Sequence, residues 1–227
     1  MQPYFLPYIG YFQLIAAVDV FVIYDNIKFT KKGWINRNRM LKNGRDSLFS
    51  LPLATASDHL FVVERHLADS FRRDKLLNSI KEAYRKAPYF EEVFPLLRQI
   101  ILNPENNLFA YIKNSILEIC RYLHLETKIL VSSELAIDHS LKAQDKVIAI
   151  CRELGATNYI NAIGGVELYS KAAFESQGMS LCFIKTMPVE YAQFEHEFIP
   201  FLSMLDVLMF NSVEHIQLKL ATEFELL

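Results

Sequence analysis

The fold is decided by residues 1–25, whose sequence is MQPYFLPYIGYFQLIAAVDVFVIYD. Its opening resembles the end of a strand, which stops at a proline-shaped turn. Residues 8–18 then repeat apolar side chains at the spacing of one helix face. Residues 20–24 are a short apolar run of β type that ends at Asp25. A strand, a helix and a strand in so short a stretch predict a right-handed, parallel βαβ unit. Because the first strand is so short, we expect part of it to lie upstream of Met1.

The alternation of strand and helix returns in the second half of the chain. Strand-like runs occupy residues 128–131, 158–160 and 181–184, and helical patterns occupy residues 141–154 and 166–177. Such alternation predicts an α/β fold with a mostly parallel, Rossmann-like sheet. We therefore predict one α/β domain over residues 1–227.

A different pattern interrupts this domain. Residues 70–125 carry apolar side chains at helical spacing, and prolines at positions 88, 95 and 104 divide them into three or four helices. We interpret them as a helical insertion or subdomain. A strand over residues 47–53 is expected before it, and two C-terminal helices are expected over residues 200–210 and 213–220.

Composition excludes several classes of protein. The formal charge is −2, so no global basic field would hold DNA. The three cysteines are far apart, lack metal-ligand spacing and are odd in number, which favours buried thiols in a reducing compartment and no metal site. No apolar run reaches the roughly 18 residues of a membrane span, and the N-terminus lacks a secretory pattern. These features predict a cytoplasmic protein.

The turn into the first helix is a candidate anion site. Gly10 lies in the first turn of that helix, where free backbone N–H groups and the helix dipole attract negative charge. The predicted substrate contacts here are Gln2, Tyr8, Gly10 and Tyr11. Nucleotidyltransferase-type Rossmann folds place His-x-Gly-His at this point, and Tyr8-x-Gly10-Tyr11 lacks those histidines. A tight turn with aromatic packing is the alternative interpretation.

A basic segment over residues 27–45 follows Asp25, which falls at the carboxyl end of a predicted strand. Five cationic side chains lie within twelve positions: Lys28, Lys31, Lys32, Arg37 and Arg39. In a slightly acidic chain this concentration favours a phosphate or diphosphate site. On an extended segment Arg37 and Arg39 would share one side, with Asn36 and Asn38 on the other, and Trp34 would stack on a base. The alternative is a solvated basic loop.

Two further sites lie nearer the C-terminus. Asn161, Gly164, Gly165 and Tyr169 belong to a second strand–turn–helix element, which suits an anion or a sugar but equally suits a plain βα turn. Asp206 lies among apolar residues and needs buried partners, either as part of a structural ion pair or as a site residue. A basic residue of the segment above is the expected partner.

These motifs together resemble those of a known family. Residues 2–12, with Asp25 and the Gly-Trp-Ile-Asn-Arg-Asn-Arg of residues 33–39, look like the opening of WbqC-like proteins. Later blocks at residues 86–90, 159–165 and 202–211 are also similar. In that family a fuller first strand usually precedes the position of Gln2, so this chain departs from it there.

The resemblance implies a role in the biosynthesis of O-antigen or a related surface polysaccharide. It favours an enzyme that transfers an acyl or aminoacyl group, such as glycyl, to the amine of a nucleotide-linked amino sugar, without a cofactor and from a donor that the sequence does not identify. Asp25 or Asp206 would accept the proton of the sugar ammonium, the basic segment would hold the diphosphate, and Asn161 would orient the sugar. The alternatives are a nucleotidyltransferase-like enzyme and a non-catalytic partner in a glycan assembly complex.

Overall fold

The computed structural model describes residues 1–195 and 197–227, which form a mixed α/β fold. The helices are α1 (Ile9–Ala16), α2 (Arg73–Tyr84), α3 (Phe90–Ile101), α4 (Leu108–Tyr122), α5 (Ala143–Glu153), α6 (Lys171–Glu175), α7 (Met204–Phe210) and α8 (Val213–Thr222). The strands are β1 (Val20–Ile23), β2 (Arg37–Lys42), β3 (Arg45–Ser50), β4 (Lys128–Val131), β5 (Asn158–Ala162), β6 (Ser180–Thr186) and β7 (Phe224–Leu226).

The described strands form three small sheets. β1 pairs with β4 in parallel, and β5 pairs with β6 in parallel. β7 adds to β6 in the antiparallel direction, and β2 and β3 form an antiparallel hairpin. The parallel pairs fit the predicted α/β class, but the single, mostly parallel sheet is not confirmed, because no hydrogen-bonded strand joins β1 to β5 among the described residues.

The hairpin of β2 and β3 forms inside the basic segment. Asn43 and Gly44 join the strands with φ angles of 53° and 71°. Two successive positive φ angles are what a two-residue type I′ turn requires, and Asn-Gly is its preferred sequence. Arg37 and Arg39 therefore lie on a strand rather than in a solvated loop.

Helices α2, α3 and α4 lie within residues 70–125, where helices are expected, and their description as an insertion or subdomain stays a prediction. Asn107 caps the start of α4, and its side chain accepts a hydrogen bond from the Ala110 amide at 3.0 Å. Pro95 does not divide the unit as expected, because it lies inside α3. Tyr84 and Ile112 of this unit belong to the same buried apolar cluster as Phe12 of α1. These helices are thus packed into the main core.

A second apolar cluster lies beside β5 and β6. It contains Val147 and Cys151 of α5, together with Phe174 of α6. The continuous helix predicted over residues 166–177 is wrong: a 3-10 turn over Ile163–Leu168 precedes α6, and the Ser170 side chain caps α6. In the part of the chain that is described, no helix is both long and apolar enough to cross a membrane.

Candidate functional site

The carboxyl ends of the parallel strands lie on one side of the fold, here named the carboxyl edge. Parallel pairing aligns the ends of β1 and β4, and likewise those of β5 and β6. α5 connects the two pairs. It starts beside the end of β1, where Lys146 donates a hydrogen bond to Asn26, and it ends just before β5 begins. Open α/β sheets bind their ligands at this edge.

Asp25 lies at this edge in a fixed position. Its side chain is 2% exposed, and Oδ1 accepts hydrogen bonds from the Ser132 hydroxyl at 2.9 Å and the Ser133 amide at 3.0 Å. Both serines directly follow β4. Among the described residues Oδ2 has no hydrogen-bond partner. The carboxylate is therefore held through Oδ1, and Oδ2 makes no described hydrogen bond.

Lys146 completes the Asp25 cluster, which we define as Tyr24, Asp25, Asn26, Ser132 and Lys146. Its ammonium donates a hydrogen bond to Asn26 Oδ1 at 2.8 Å and lies 5.4 Å from the centre of the Tyr24 ring. Burial lowers the pKa of Lys146, and the nearby charge of Asp25 opposes that effect. The cluster thus combines a carboxylate with an amine whose pKa is lowered by burial.

Sequence reasoning found Asp25 but missed Ser132 and Lys146. Ser132 comes immediately after β4, just as Asp25 comes just after β1, so the same strand-end argument would have found it. Lys146 lies near the start of the helix that follows. Within residues 1–195 and 197–227, no group of three or more His, Cys, Asp or Glu side chains could hold a metal ion.

The Gly10 turn is filled by neighbouring side chains. A Cβ added to Gly10 would collide with Thr186 Oγ1 and with the ring of Tyr8. Tyr11 is buried, and its hydroxyl donates a hydrogen bond to the backbone oxygen of Gln2 at 3.0 Å. The glycine therefore makes room for protein packing, and the role of this turn in ligand binding stays a prediction.

Arg37 and Arg39 flank the exposed Trp34 ring at 5.8 and 5.7 Å from its centre, so both arginines lie on one side of β2 as expected. Arg37 donates to the backbone oxygens of Lys32 and Gly33 at 2.6 and 2.9 Å. Arg39 contacts the Asp46 carboxylate at 3.1 Å. Arg37 thus fixes the backbone of Lys32 and Gly33 beside Trp34, which we name the Trp34 loop. We name the exposed Trp34 ring with the Arg37 and Arg39 guanidinium groups the cationic aromatic surface.

The two asparagines between the arginines anchor the hairpin. Asn36 donates to the Leu51 oxygen at 2.8 Å, and the buried Asn38 donates to the Leu6 oxygen at 2.7 Å. Leu6 has a φ of 45°, a conformation that non-glycine residues seldom adopt. These amides therefore attach β2 to the segment that leads into α1, and the structure uses them within the protein.

Arg39 is connected to the Gly10 turn through one aromatic side chain. Its guanidinium donates to the Phe201 oxygen at 3.3 Å, and the Phe201 ring lies 6.4 Å from that of Tyr8, which packs on Gly10. Thr186 places this turn at the carboxyl end of β6. The Trp34 loop and the Gly10 turn are thus neighbours at the carboxyl edge.

The Gly164–Gly165 turn lies at the end of β5. The Asn161 side chain accepts a hydrogen bond from the Ala162 amide at 2.8 Å, and its amide group occupies the space where a Gly165 Cβ would be. Gly164 faces open space, and Tyr169 packs 5.7 Å from Tyr159. Only Gly164 of this turn therefore leaves room for a ligand group.

Asp206 belongs to a different environment from Asp25. It is fully buried and accepts hydrogen bonds from the hydroxyls of Tyr84 and Tyr191, both at 2.7 Å, and from the Gln193 amide at 2.8 Å. Burial raises the pKa of Asp206, and these hydrogen bonds oppose the rise. The partners are not the basic residues expected from the sequence, and no described contact joins the two carboxylates.

The comparison with known proteins agrees with the sequence motifs. The model of the WbqC-like protein family matches residues 2–218. The chain belongs to this family. A similar protein is the one named Uncharacterized protein Rv1507c, from Mycobacterium tuberculosis, strain ATCC 25618 / H37Rv. The two are 25% identical over 214 residues, which cover 93% of this chain and 91% of that protein. No solved structure matches the chain.

Proposed function

We propose that the protein is an enzyme of bacterial surface polysaccharide biosynthesis, which transfers an acyl or aminoacyl group to the amine of a nucleotide-linked amino sugar. The observation that carries the proposal is the Asp25 cluster, in which a carboxylate oxygen without a described partner lies in the same polar cluster as Lys146. Membership of the WbqC-like family supports the pathway.

The reaction needs a base for the sugar amine. The sugar ammonium donates a hydrogen bond to Asp25 Oδ2 and passes it a proton, which leaves a nucleophilic amine. The nitrogen then forms a bond to the acyl carbonyl carbon and loses its second proton to water. The bond from that carbon to the donor's leaving group breaks, and the leaving group departs with the proton that Asp25 holds. Lys146 supplies positive charge close to the oxyanion that forms on the way. Ser132 and Ser133 keep Asp25 in place throughout.

The nucleotide part of the substrate lies across the cationic aromatic surface. Arg37, Arg39 and Lys28 provide positive charge for the diphosphate, and Trp34, 42% exposed, offers a ring face to the base. The open space beside Gly164 accommodates a sugar substituent. In this proposal Asp206 supports the fold and takes no part in proton transfer, because both of its carboxylate oxygens already accept hydrogen bonds from protein groups, whereas Asp25 Oδ2 accepts none among the described residues.

The test is a transfer assay with a matched pair of variants. A nucleotide-linked amino sugar is incubated with a panel of acyl and aminoacyl donors, and mass spectrometry detects the mass gained by the sugar. Asp25→Asn should lower the rate about 100-fold or more, since it removes a general base. Asp145→Asn, an exposed carboxylate on the same helix as Lys146, is the control and should leave the rate unchanged.

The outcomes distinguish the proposal from its rivals. A folded Asp25→Asn variant with the parent's rate would show that Asp25 is not the base. Calorimetric binding of the sugar nucleotide without conversion by any donor would favour a non-catalytic binding partner. Release of pyrophosphate from a nucleoside triphosphate added together with a sugar phosphate would favour a nucleotidyltransferase.

A further inference from the structure

Arg65 is a buried cation whose charge lacks a close anionic partner. Its side chain is 5% exposed, and its guanidinium group packs 4.5 Å from the centre of the Phe29 ring. Nη2 donates a hydrogen bond to the Ser57 oxygen at 2.8 Å, whereas the buried Nε has no partner among the described residues. The carboxylate of Asp58 lies 4.0 Å from Nη2, which is too far for a hydrogen bond. Because a buried charge is costly unless it is paired, this guanidinium favours an anion beside it.

Asp58 is engaged mainly by another cation. The Lys31 ammonium lies 2.8 Å from Oδ1 of Asp58 and 2.9 Å from Oδ2. Both side chains are exposed, so this pair contributes little to stability. The hydrogen bond from Lys31 lowers the pKa of the Asp58 carboxyl, and the charges of Arg65 and His59 act in the same direction. A single carboxylate therefore faces two fixed positive charges and a histidine, which leaves the place short of negative charge.

The backbone fixes where the two cations lie. Lys28 and Phe61 pair in an antiparallel bridge, which sets the chain that leads to Lys31 beside the chain that leads to Arg65. Asp58 belongs to an exposed loop that forms neither helix nor strand. Its carboxylate can therefore leave both cations by rotation of its own side chain.

The place between the two cations borders the candidate site on two sides. Val63 lies two residues before Arg65, and its amide donates to the backbone oxygen of Asp25 at 3.1 Å. Lys31 belongs to the tight turn that leads into the Trp34 loop. A group bound between the two cations would therefore lie beside both the Asp25 cluster and the cationic aromatic surface.

We propose that Lys31 and Arg65 form a binding site for the phosphate group of a ligand, and that the Asp58 carboxylate occupies the place of that group until the ligand binds. The phosphate accepts hydrogen bonds from the ammonium and the guanidinium group, and Asp58 turns towards solvent. At neutral pH a phosphate group carries about 1.5–2 negative charges, so it neutralises both cations better than a single carboxylate does. This inference is independent of the proposed reaction, which uses other cations of the basic segment.

The test compares two variants of equal charge, Asp58→Asn and Asp46→Asn. Each removes one exposed carboxylate that contacts a cation of the basic segment, Lys31 in the first case and Arg39 in the second. Inorganic phosphate is titrated into the parent and both variants at fixed ionic strength, and binding is followed by the NMR shift of the Ser57 amide. Asp58→Asn should lower the Kd about tenfold or more, because its carboxylate no longer competes for charge-assisted hydrogen bonds. Asp46→Asn should change the Kd by no more than about twofold, because salt screens a change in net charge alone.

Loss of either cation should have the opposite effect. Lys31→Gln and Arg65→Gln should each raise the Kd about fivefold or more, since each removes a charge-assisted hydrogen bond. Lys31 is 70% exposed, so its replacement tests the site even where loss of the buried Arg65 unfolds the chain. The same titrations with uridine diphosphate identify the source of the phosphate. Tighter binding of this nucleotide by Asp58→Asn assigns the site to a nucleotide phosphate, whereas tighter binding of inorganic phosphate alone assigns it to free phosphate.

Any one of four results would overturn the proposal. An equal Kd for inorganic phosphate in the parent and in Asp58→Asn would show that the carboxylate does not occupy the site. An equal gain in Asp46→Asn would place the effect in net charge or at the cationic aromatic surface. An unchanged Kd in Lys31→Gln, or no phosphate binding by Asp58→Asn, would show that the two cations form no phosphate site.

Discussion

Replacement of Asp206 by alanine tests whether this carboxylate supports the fold or acts on a substrate. The substitution removes a fully buried acceptor from the hydroxyls of Tyr84 and Tyr191 and from one N–H of Gln193, whose amide nitrogen also donates to the Ile199 oxygen at 3.2 Å. Each unsatisfied buried donor costs at least about 1 kcal/mol. We therefore expect a loss of about 3 kcal/mol in the free energy of unfolding. For a domain of this size that corresponds to a fall of about 6–12 °C in Tm.

Thermal unfolding followed by circular dichroism measures this effect. Tyr191→Phe removes one donor only and should cost about 1–2 kcal/mol. Tyr122→Phe is the control, because no described hydrogen bond involves its hydroxyl. In a double-mutant cycle, Asp206→Ala and Tyr191→Phe should be less than additive, since both remove the same hydrogen bond. A folded Asp206→Ala variant with the parent's Tm but without transfer activity would refute the structural role.

Three further predictions follow from the geometry. Gly165→Ala should displace the Asn161 side chain and lower Tm by several degrees. Gly164→Ala adds its methyl group in open space, and in parallel thermal unfolding its Tm should stay within about 2 °C of the parent's. Burial lowers the pKa of the Met1 amino group from 8.0 to about 5. The free energy of unfolding, measured by denaturant titration, should therefore rise from pH 5 to pH 8 by at most about 4 kcal/mol. N-terminal acetylation should abolish that rise. Burial raises the pKa of Asp206 above 3.8. The free energy of unfolding should therefore fall as pH rises from 3.8 through the pKa that Asp206 has in the folded protein. Asp206→Asn should remove this pH dependence in unfolding experiments carried out across acid pH.

Local sequence patterns were sufficient for most elements of the fold. Helical spacing predicted α1 and α5, and apolar runs predicted β1, β4 and β6, because each pattern reflects contacts that repeat along a single element. The sequence analysis expects an extended segment around Arg37 and Arg39 and a strand over residues 47–53, but it does not join them in a hairpin, although Asn43-Gly44 is a strong turn sequence. Pro95 was misjudged because surrounding helix packing outweighed its local cost.

For the candidate site, the sequence by itself determined that Asp25 stands at the end of a strand and that the chain has WbqC-like motifs over most of its length. Only the tertiary structure decided which groups surround that carboxylate. Ser132 is 107 positions away from Asp25, and Lys146 is 120 positions away from Asn26. Asp206 likewise finds Tyr84 at a separation of 122 positions. Local patterns report the conformation of single elements, whereas such pairs are set by how the strands and helices pack, so no spacing along the chain reveals them.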